Sequence, residues 1–245
     1  MKIKITLFLI IIFSLTLFWG DATHNDVLVF LVRPFTIPLI ALYFYLSVDN
    51  KWTPENRLRM LAFVFSWIGD LSLLLVPKTI TDVVILGIPK NKYFFFAGLG
   101  SFLIAQLFFI ATYKKAVTSI ATNKINRFYY IPFVIYWIVM LGIVLPPIQL
   151  DAEKKLATIP VIVYASILLS MAAVAFSRYE KTNPISFWIT FLGGCIFVVS
   201  DSLIAVNFLA LPEPTSFASI SISVTYIAAE FMIAEGILRH NRSSI

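Results

Sequence analysis

The chain has 245 residues, of which 60% are hydrophobic and only 13% charged, and its mean hydropathy is +0.90. That balance excludes a water-soluble domain, in which about a quarter of residues are charged. The net charge of +6 then reads as an orientation signal for a membrane protein, and no nucleic-acid partner is expected.

Eight apolar runs follow one another at about residues 3–19, 27–48, 59–76, 93–113, 128–150, 156–176, 185–211 and 217–238. Each approaches or exceeds the roughly 20 residues that a helix needs to cross about 30 Å of hydrocarbon. None alternates like a barrel strand, and only helices and closed barrels span a bilayer. The predicted fold class is therefore all-α, a polytopic membrane bundle of eight helices that fills residues 1–245 as one integral membrane domain. Lys2, Lys4, the apolar core Ile5 to Trp19 and the Gly20-Asp21-Ala22 triplet have the shape of a signal peptide. Bulky Phe18 and Trp19 beside that triplet argue instead for a retained helix.

Placing the N-terminus in the cytoplasm collects on that side Lys2, Lys4, Lys51, Arg57, Arg59, Lys114, Lys115, Lys124, Arg127, Arg178, Lys181, Arg239 and Arg242. Opposite them stand Lys78, Lys90, Lys92, Lys154 and Lys155, with Arg33 inside a run. Basic residues favour cytoplasmic loops, so both termini are predicted to be cytoplasmic, in the cell (inner) membrane. The lone Cys195 rules out an intrachain disulfide and reads as a packing residue. His24 and His240 fall outside the runs, and no HExxH motif or Cys pair exists, so neither a catalytic metal nor another cofactor is expected. Trp19, Tyr93, Tyr129 and Tyr130 lie near run ends, where aromatic side chains anchor at the interface.

The polar residues inside the runs carry the functional information, because each is unfavourable in hydrocarbon unless it faces a partner or a wet cavity. They are Arg33, Asp70, Gln106, Asp201, Asn207 and Glu230. Ser66 and Asp70 are one helical turn apart, and Ser219, Ser223, Tyr226, Glu230 and Ala234 share a face of the eighth run. Gly194, Val198, Asp201, Ala205 and Phe208 form a mostly small stripe in the seventh. The three acids are thus expected to point inward, toward each other or a shared cavity. Three such carboxyls must share protons or be strongly desolvated to coexist, the usual basis for an acid and a base working as a pair. Gln106 and Asn207 read first as interhelical hydrogen-bonding groups. Arg33 reads equally as a structural counter-ion and as a phosphate binder.

The runs also resemble one another in order. TIPLIALY at 36–43 matches TIPVIVYA at 158–165, IGDLSLLL at 68–75 matches VSDSLIAV at 199–206, and FLIAQLFFIA at 102–111 matches YIAAEFMIAE at 226–235. A four-plus-four parallel duplication follows, with Pro38 answering Pro160, Asp70 answering Asp201 and Gln106 answering Glu230. Such repeats place equivalent residues around a pseudo-two-fold axis along the membrane normal. Acids arranged in this way also suit a proton-coupled small-molecule or lipid carrier, which stands as the alternative to an enzyme.

RPFTIPLIALY, FSWIGDLSLLL, FFFAGLGSFLIAQLFFIATY, IPVIVYASILLSM, GGCIFVVSDSLIA and TYIAAEFMIAEGIL, taken together from Val32 to Leu238, resemble the YhhN-like lysoplasmalogenase family of eight-helix membrane proteins. The resemblance implies hydrolysis of the vinyl-ether bond of a lysoplasmalogen to a fatty aldehyde and a glycerophospho-base. It implies Asp70 and Asp201 as the paired acids, Tyr164 and Tyr226 as orienting groups, and Arg33-Pro34 in place of a Lys-Pro. Gln106 stands where the family leads one to expect His, and Glu230 where it leads one to expect Gln. The candidate site so assembled has Asp70, Asp201 and Glu230 as catalytic acids. Arg33, Gln106, Tyr164, Tyr226 and Asn207 are its substrate-facing residues, the substrate is a single-tailed lipid, and homodimerisation is left open.

Overall fold

A computed structural model describes residues 1–48, 53–76, 84–85, 88–118, 126–152, 154–211, 215 and 217–242. Eight long helices follow in chain order: α1 (Lys2–Ala22), α2 (Asp26–Ser47), α3 (Pro54–Leu74), α4 (Lys90–Thr118), α5 (Ile131–Leu150), α6 (Thr158–Phe176), α7 (Pro184–Ala205) and α8 (Ala218–Arg242). Single 3₁₀ turns lead into α5 and α6, and a π-helical turn, Val206–Ala210, extends α7. The strand content of the described residues is one two-residue antiparallel pair, Val84–Ile85 with Ile88–Pro89.

Local chemistry starts the helices. Asn25 accepts from the Leu28 N–H at 3.0 Å, Thr53 from Asn56 at 3.2 Å just ahead of Pro54, and Asn183 from Ile185 at 2.9 Å just ahead of Pro184. An Asn or Thr cap followed by proline in the first turn satisfies donors that have no intrahelical partner. Every apolar run thus becomes a helix, and the seventh run ends in the π turn.

Seven of the eight helices are long and apolar enough to cross a membrane, so the chain is a multi-pass membrane protein. α3 is as long as α1 but carries Glu55, Arg57, Arg59 and Asp70. Arg59 and Asp70 are buried within the bundle, so the charge that lowers its hydropathy is turned partly inward.

The packing repeats as the sequence does. α3 lies along α4 as α7 lies along α8; α2 meets α3 as α6 meets α7; α2 meets α8 as α6 meets α4. In both long pairs small residues allow the approach: a side chain at Gly98 would press on Leu73 at 3.0 Å, and one at Gly193 on Met232 at 3.0 Å. The first helices of the halves differ. α1 packs on α2 and α8, whereas α5 packs on α6 and on the π turn after α7.

At the end of the bundle that carries the termini, Arg178 is 1% exposed. It donates through Nη2 to Ser186 Oγ at 2.9 Å, and that hydroxyl donates to the Gly236 carbonyl at 2.6 Å. Its guanidinium also lies 5.7 Å from the Tyr113 ring centre. Burial pushes the Arg178 guanidinium down to about 10, which leaves it charged at neutral pH. The loop charge that reads as an orientation signal therefore also fastens α6, α7 and α8 together.

Pro38 cannot donate to the carbonyl of Pro34 one turn earlier. Trp67 Nε1 of α3 donates to that carbonyl instead, at 2.8 Å. The proline in α2 thus creates the acceptor that fixes α3, three residues before Asp70. Trp67→Phe leaves the carbonyl without its donor, and we expect a loss of about 1 to 3 kcal/mol in reversible unfolding from detergent. A Trp67→Phe protein as stable as the unsubstituted one would remove this tie.

The basic-residue distribution gives a second expectation. A reporter fused after Ile245 should be cytoplasmic and one inserted in the Thr23–Asn25 turn should not. The same location for both would overturn the orientation.

Candidate functional site

A cavity of about 380 Å³ opens toward the end of the bundle opposite the termini. Its wall draws Arg33 and Thr36 from α2, Asp70 from α3, Phe102 from α4, Asp201 from α7, and Ser219, Ser223 and Tyr226 from α8. Asp70 and Asp201, the two acids the repeat makes equivalent, thus share one cavity although they are 5% and 9% exposed.

Each acid is served by a tyrosine. Asp201 Oδ2 accepts from the Tyr164 hydroxyl of α6 at 2.5 Å and from Gln106 Nε2 of α4 at 3.4 Å. Gln106 Nε2 also donates to the Tyr164 oxygen at 2.9 Å. On the other side the Tyr226 hydroxyl faces Asp70 and donates a long 3.5 Å bond to the Ser66 carbonyl. The Tyr226 ring is held edge-on by Phe102 and Phe197, each with centroids 5.7 Å away. Asp70 Oδ2 is buried with no hydrogen-bond donor among the described residues.

Glu230 lies behind this wall. It is 0% exposed and is absent from the cavity lining, so of the three inward-pointing acids two line the cavity and the third points toward Asp70. One turn further along α8 than Tyr226, it points deeper into the bundle, beside Asp70, with the Ser66 hydroxyl nearby but outside regular hydrogen-bond geometry. Gln106 is likewise fully buried. The pair Glu230 and Asp70 repeats the pair Gln106 and Asp201, as the duplication requires. Tyr164 has no such counterpart, since the matching position in α2 is Leu42.

Arg33 lines the cavity with both of its alternative roles partly visible. Its Nη2 donates to Ser223 Oγ at 2.9 Å and lies 3.5 Å from Asp21 Oδ2. With its side chain 21% exposed, the guanidinium still faces the cavity. Asp21, placed by the sequence in a loop, is the last buried residue of α1. The tight Thr23–Asn25 turn brings Gly20 against Val29, so reading the first two runs as a hairpin would have brought Asp21 within reach of Arg33. Lys154, also read as a loop charge, reaches the same cavity, with Nζ 3.4 Å from the Leu209 carbonyl.

Asn207 belongs elsewhere. Its Nδ2 donates to the Leu203 carbonyl at 2.9 Å and its Oδ1 accepts from Thr215 N and Oγ1 at 3.1 and 2.8 Å. It lines neither this cavity nor its smaller neighbour. Six residues beyond Asp201, Asn207 lies off that residue's face even at α-helical spacing, and its bonds close the turn after α7 instead of facing a substrate.

Gly69, next to Asp70, has a packing reason to lack a side chain. A Cβ there would stand 2.7 Å from the Phe102 ring, the ring that supports Tyr226. Gly69→Ala should therefore push Phe102 into the cavity and lower stability by about 1 to 3 kcal/mol, measured as the melting temperature of the detergent-solubilised protein. An unchanged melting temperature would show that the ring moves freely.

Among the described residues no cluster of His, Cys, Asp and Glu has the grouping of a metal site. What the arrangement offers chemically is a pair of carboxyls at one cavity wall, each beside a phenol, with Arg33 and Lys154 facing the same space.

The model of the YhhN family matches residues 28–237, from the first turn of α2 to the last turns of α8. Neither a curated protein nor a solved structure matches the chain. The match takes in both acids, both tyrosines and Arg33, and with most of its length covered the chain belongs to the YhhN family.

Proposed function

We propose that this protein is a membrane-embedded hydrolase that cleaves the vinyl-ether bond of a lysoplasmalogen, or a closely related lipid ether, to a fatty aldehyde and a glycerophospho-base. The observation that carries the reading is the shared cavity of Asp70 and Asp201, each acid with its own tyrosine, reached by two cations. Enol-ether hydrolysis needs a proton donor and a group that steadies positive charge. The donor protonates the vinyl carbon beta to oxygen, leaving an oxocarbenium ion. Water adds to that cation and gives up a proton to the second carboxylate. The hemiacetal then collapses to aldehyde and alcohol. Paired acids act in the same way around the oxocarbenium-like state of glycoside cleavage.

The hydrogen bonds divide the labour. Two donors converge on Asp201, the arrangement that suits a carboxylate stabilising a cation and accepting the proton of water. Asp70 Oδ2 receives no donor and carries the proton to be delivered, with Glu230 behind it as a second proton store. Arg33 and Lys154 hold the phosphate. With cytoplasmic termini, the cavity faces the side of the membrane opposite the cytoplasm.

The same acids would serve a proton-coupled carrier. Transport has no meaning in detergent, so aldehyde release from lysoplasmalogen by the purified protein separates the two readings. Asp70→Asn and Asp201→Asn keep the shape of the side chain and remove its titrating proton. Each should lower turnover about a hundredfold or more, the scale of a general acid-base contribution, at matched folded protein. Glu230→Gln should remain active with a shifted pH profile, because Glu230 touches the substrate space only through Asp70. Full activity in both Asn variants would take the acids out of the chemistry.

A further inference from the structure

The two halves of the bundle are not equally closed. By the duplication, α5 corresponds to α1 and α4 to α8. α1 packs on α8, whereas α5 turns to α6 and the π turn and meets α4 mainly near one end, where Phe95 and Phe96 pack on the cluster of Val144 and Ile148. A second cavity of about 80 Å³ fills the seam between α4 and α5. Its wall runs from Met140 and Val144 of α5 and Val161 of α6, near the end where the first cavity opens, to Trp137 and Leu168 deeper in the bundle.

Three features of this space point to its occupant. First, its lining is almost wholly apolar. The polar atoms of its aromatic residues are already engaged, Trp137 Nε1 with Ser166 Oγ at 3.1 Å and the Tyr136 hydroxyl with Ser202 Oγ at 2.8 Å. An apolar cavity without free polar partners stays dry and takes up apolar ligands. Second, it meets the acid-lined cavity: Asp201, Leu73, Phe102 and Ile204 belong to both walls. Asp201 therefore stands at the junction of a space with charged walls and a space with hydrocarbon walls. Third, α5 is a lipid-facing helix, with Val134, Ile135, Ile138 and Val139 more than half exposed, so the material beside the seam is the bilayer itself.

We propose that the α4–α5 seam is the lateral entrance and binding channel for the hydrocarbon chain of a single-tailed lipid, whose phosphate end occupies the Arg33 cavity. The proposal rests on the functional reading above for the identity of the headgroup side, and names what that reading leaves open: where the tail lies. A chain in the seam brings the bond between tail and glycerol to Asp201, where the two cavities join. Ala165, on the seam wall and without a role at the acids, then sets how much chain the channel accepts.

The test uses the full-length protein and saturated 1-O-alkyl-glycerophosphocholines with octyl, dodecyl and octadecyl chains, which contain no vinyl ether, with binding read by native mass spectrometry. Ala165→Phe fills the channel. Each methylene group excluded weakens binding about fourfold, so octadecyl binding should fall about tenfold or more while octyl binding holds. In the unsubstituted protein, a photoreactive diazirine on the octadecyl chain should label α5 or α6 around Trp137, Met140 and Ala165.

Labelling confined to other helices overturns the proposal, and so does an unchanged octyl-to-octadecyl ratio in Ala165→Phe. A change in oligomeric state at unchanged ratio also overturns it and assigns the seam to a second copy of the chain. If Ala165→Phe does not fold, the photolabel alone decides. Absence of aldehyde release together with a shifted chain-length ratio would reject the vinyl-ether reaction and keep the channel.

Discussion

A carboxyl group in the hydrocarbon core costs about 2.5 to 3.5 kcal/mol on insertion scales, and this bundle buries Asp70, Asp201 and Glu230 together. Much of the remaining architecture can be understood as the means of holding them. Tyr164 and Gln106 arrive from two different helices to bond Asp201. Tyr226 arrives from a third to face Asp70, and its ring is fixed by Phe102, which fits only because residue 69 is glycine. Trp67 anchors the preceding turn of α3 to a carbonyl freed by Pro38. The acids thus depend on packing in six helices, and that packing has no other obvious way to be so polar inside a bilayer.

The matching order of the runs and of their packing accounts for two acids lining one cavity, and the places where the match fails account for how they differ. A parallel repeat places equivalent residues about one axis, so an acid in α3 acquires a partner in α7 without any further design. Gln106 beside Asp201 and Glu230 beside Asp70 preserve that relation. Tyr164 breaks it, because α2 carries Leu42 where α6 carries the tyrosine. One acid therefore receives two donors while the other keeps an oxygen without one. Identical environments would favour identical roles; an acid and a base need unlike ones.

The sequence announced the helices clearly, since long apolar runs have few alternatives in a membrane and their Asn-Pro and Thr-Pro starts are local signals. It also announced Asp70 and Asp201, because charge inside an apolar run is conspicuous wherever it points. Depth and direction were less legible. Asn207 lies six residues after Asp201, on a different helical face, and no residue pattern in Val206–Ala210 signals the π turn that Asn207 closes through Thr215. Glu230 and Tyr226 share a helix face, but whether a residue lines a cavity or lies beneath it depends on how close the opposing helices come. Asp21, Lys154 and Arg178 were hidden for a different reason. Charges near run ends look like loop charges, and only the tertiary arrangement turns them inward.

The departure of α5 from the repeat follows the same logic on a larger scale. α1 is held on two sides, by Asp21 pairing with Arg33 and by its packing on α8. α5 shows no ion pair among the described residues; its polar ties run through Tyr136 and Trp137 to hydroxyls of α7 and α6. In a bilayer, apolar surface gains little by moving from lipid to protein, so a helix tied on one side has little drive to close a seam on the other. The open seam is then no packing defect. It is the state expected when Asp21 and Arg33 fasten the first helix of one half and no ion pair among the described residues fastens α5, and Asp201 lies on the wall of the cavity beside it.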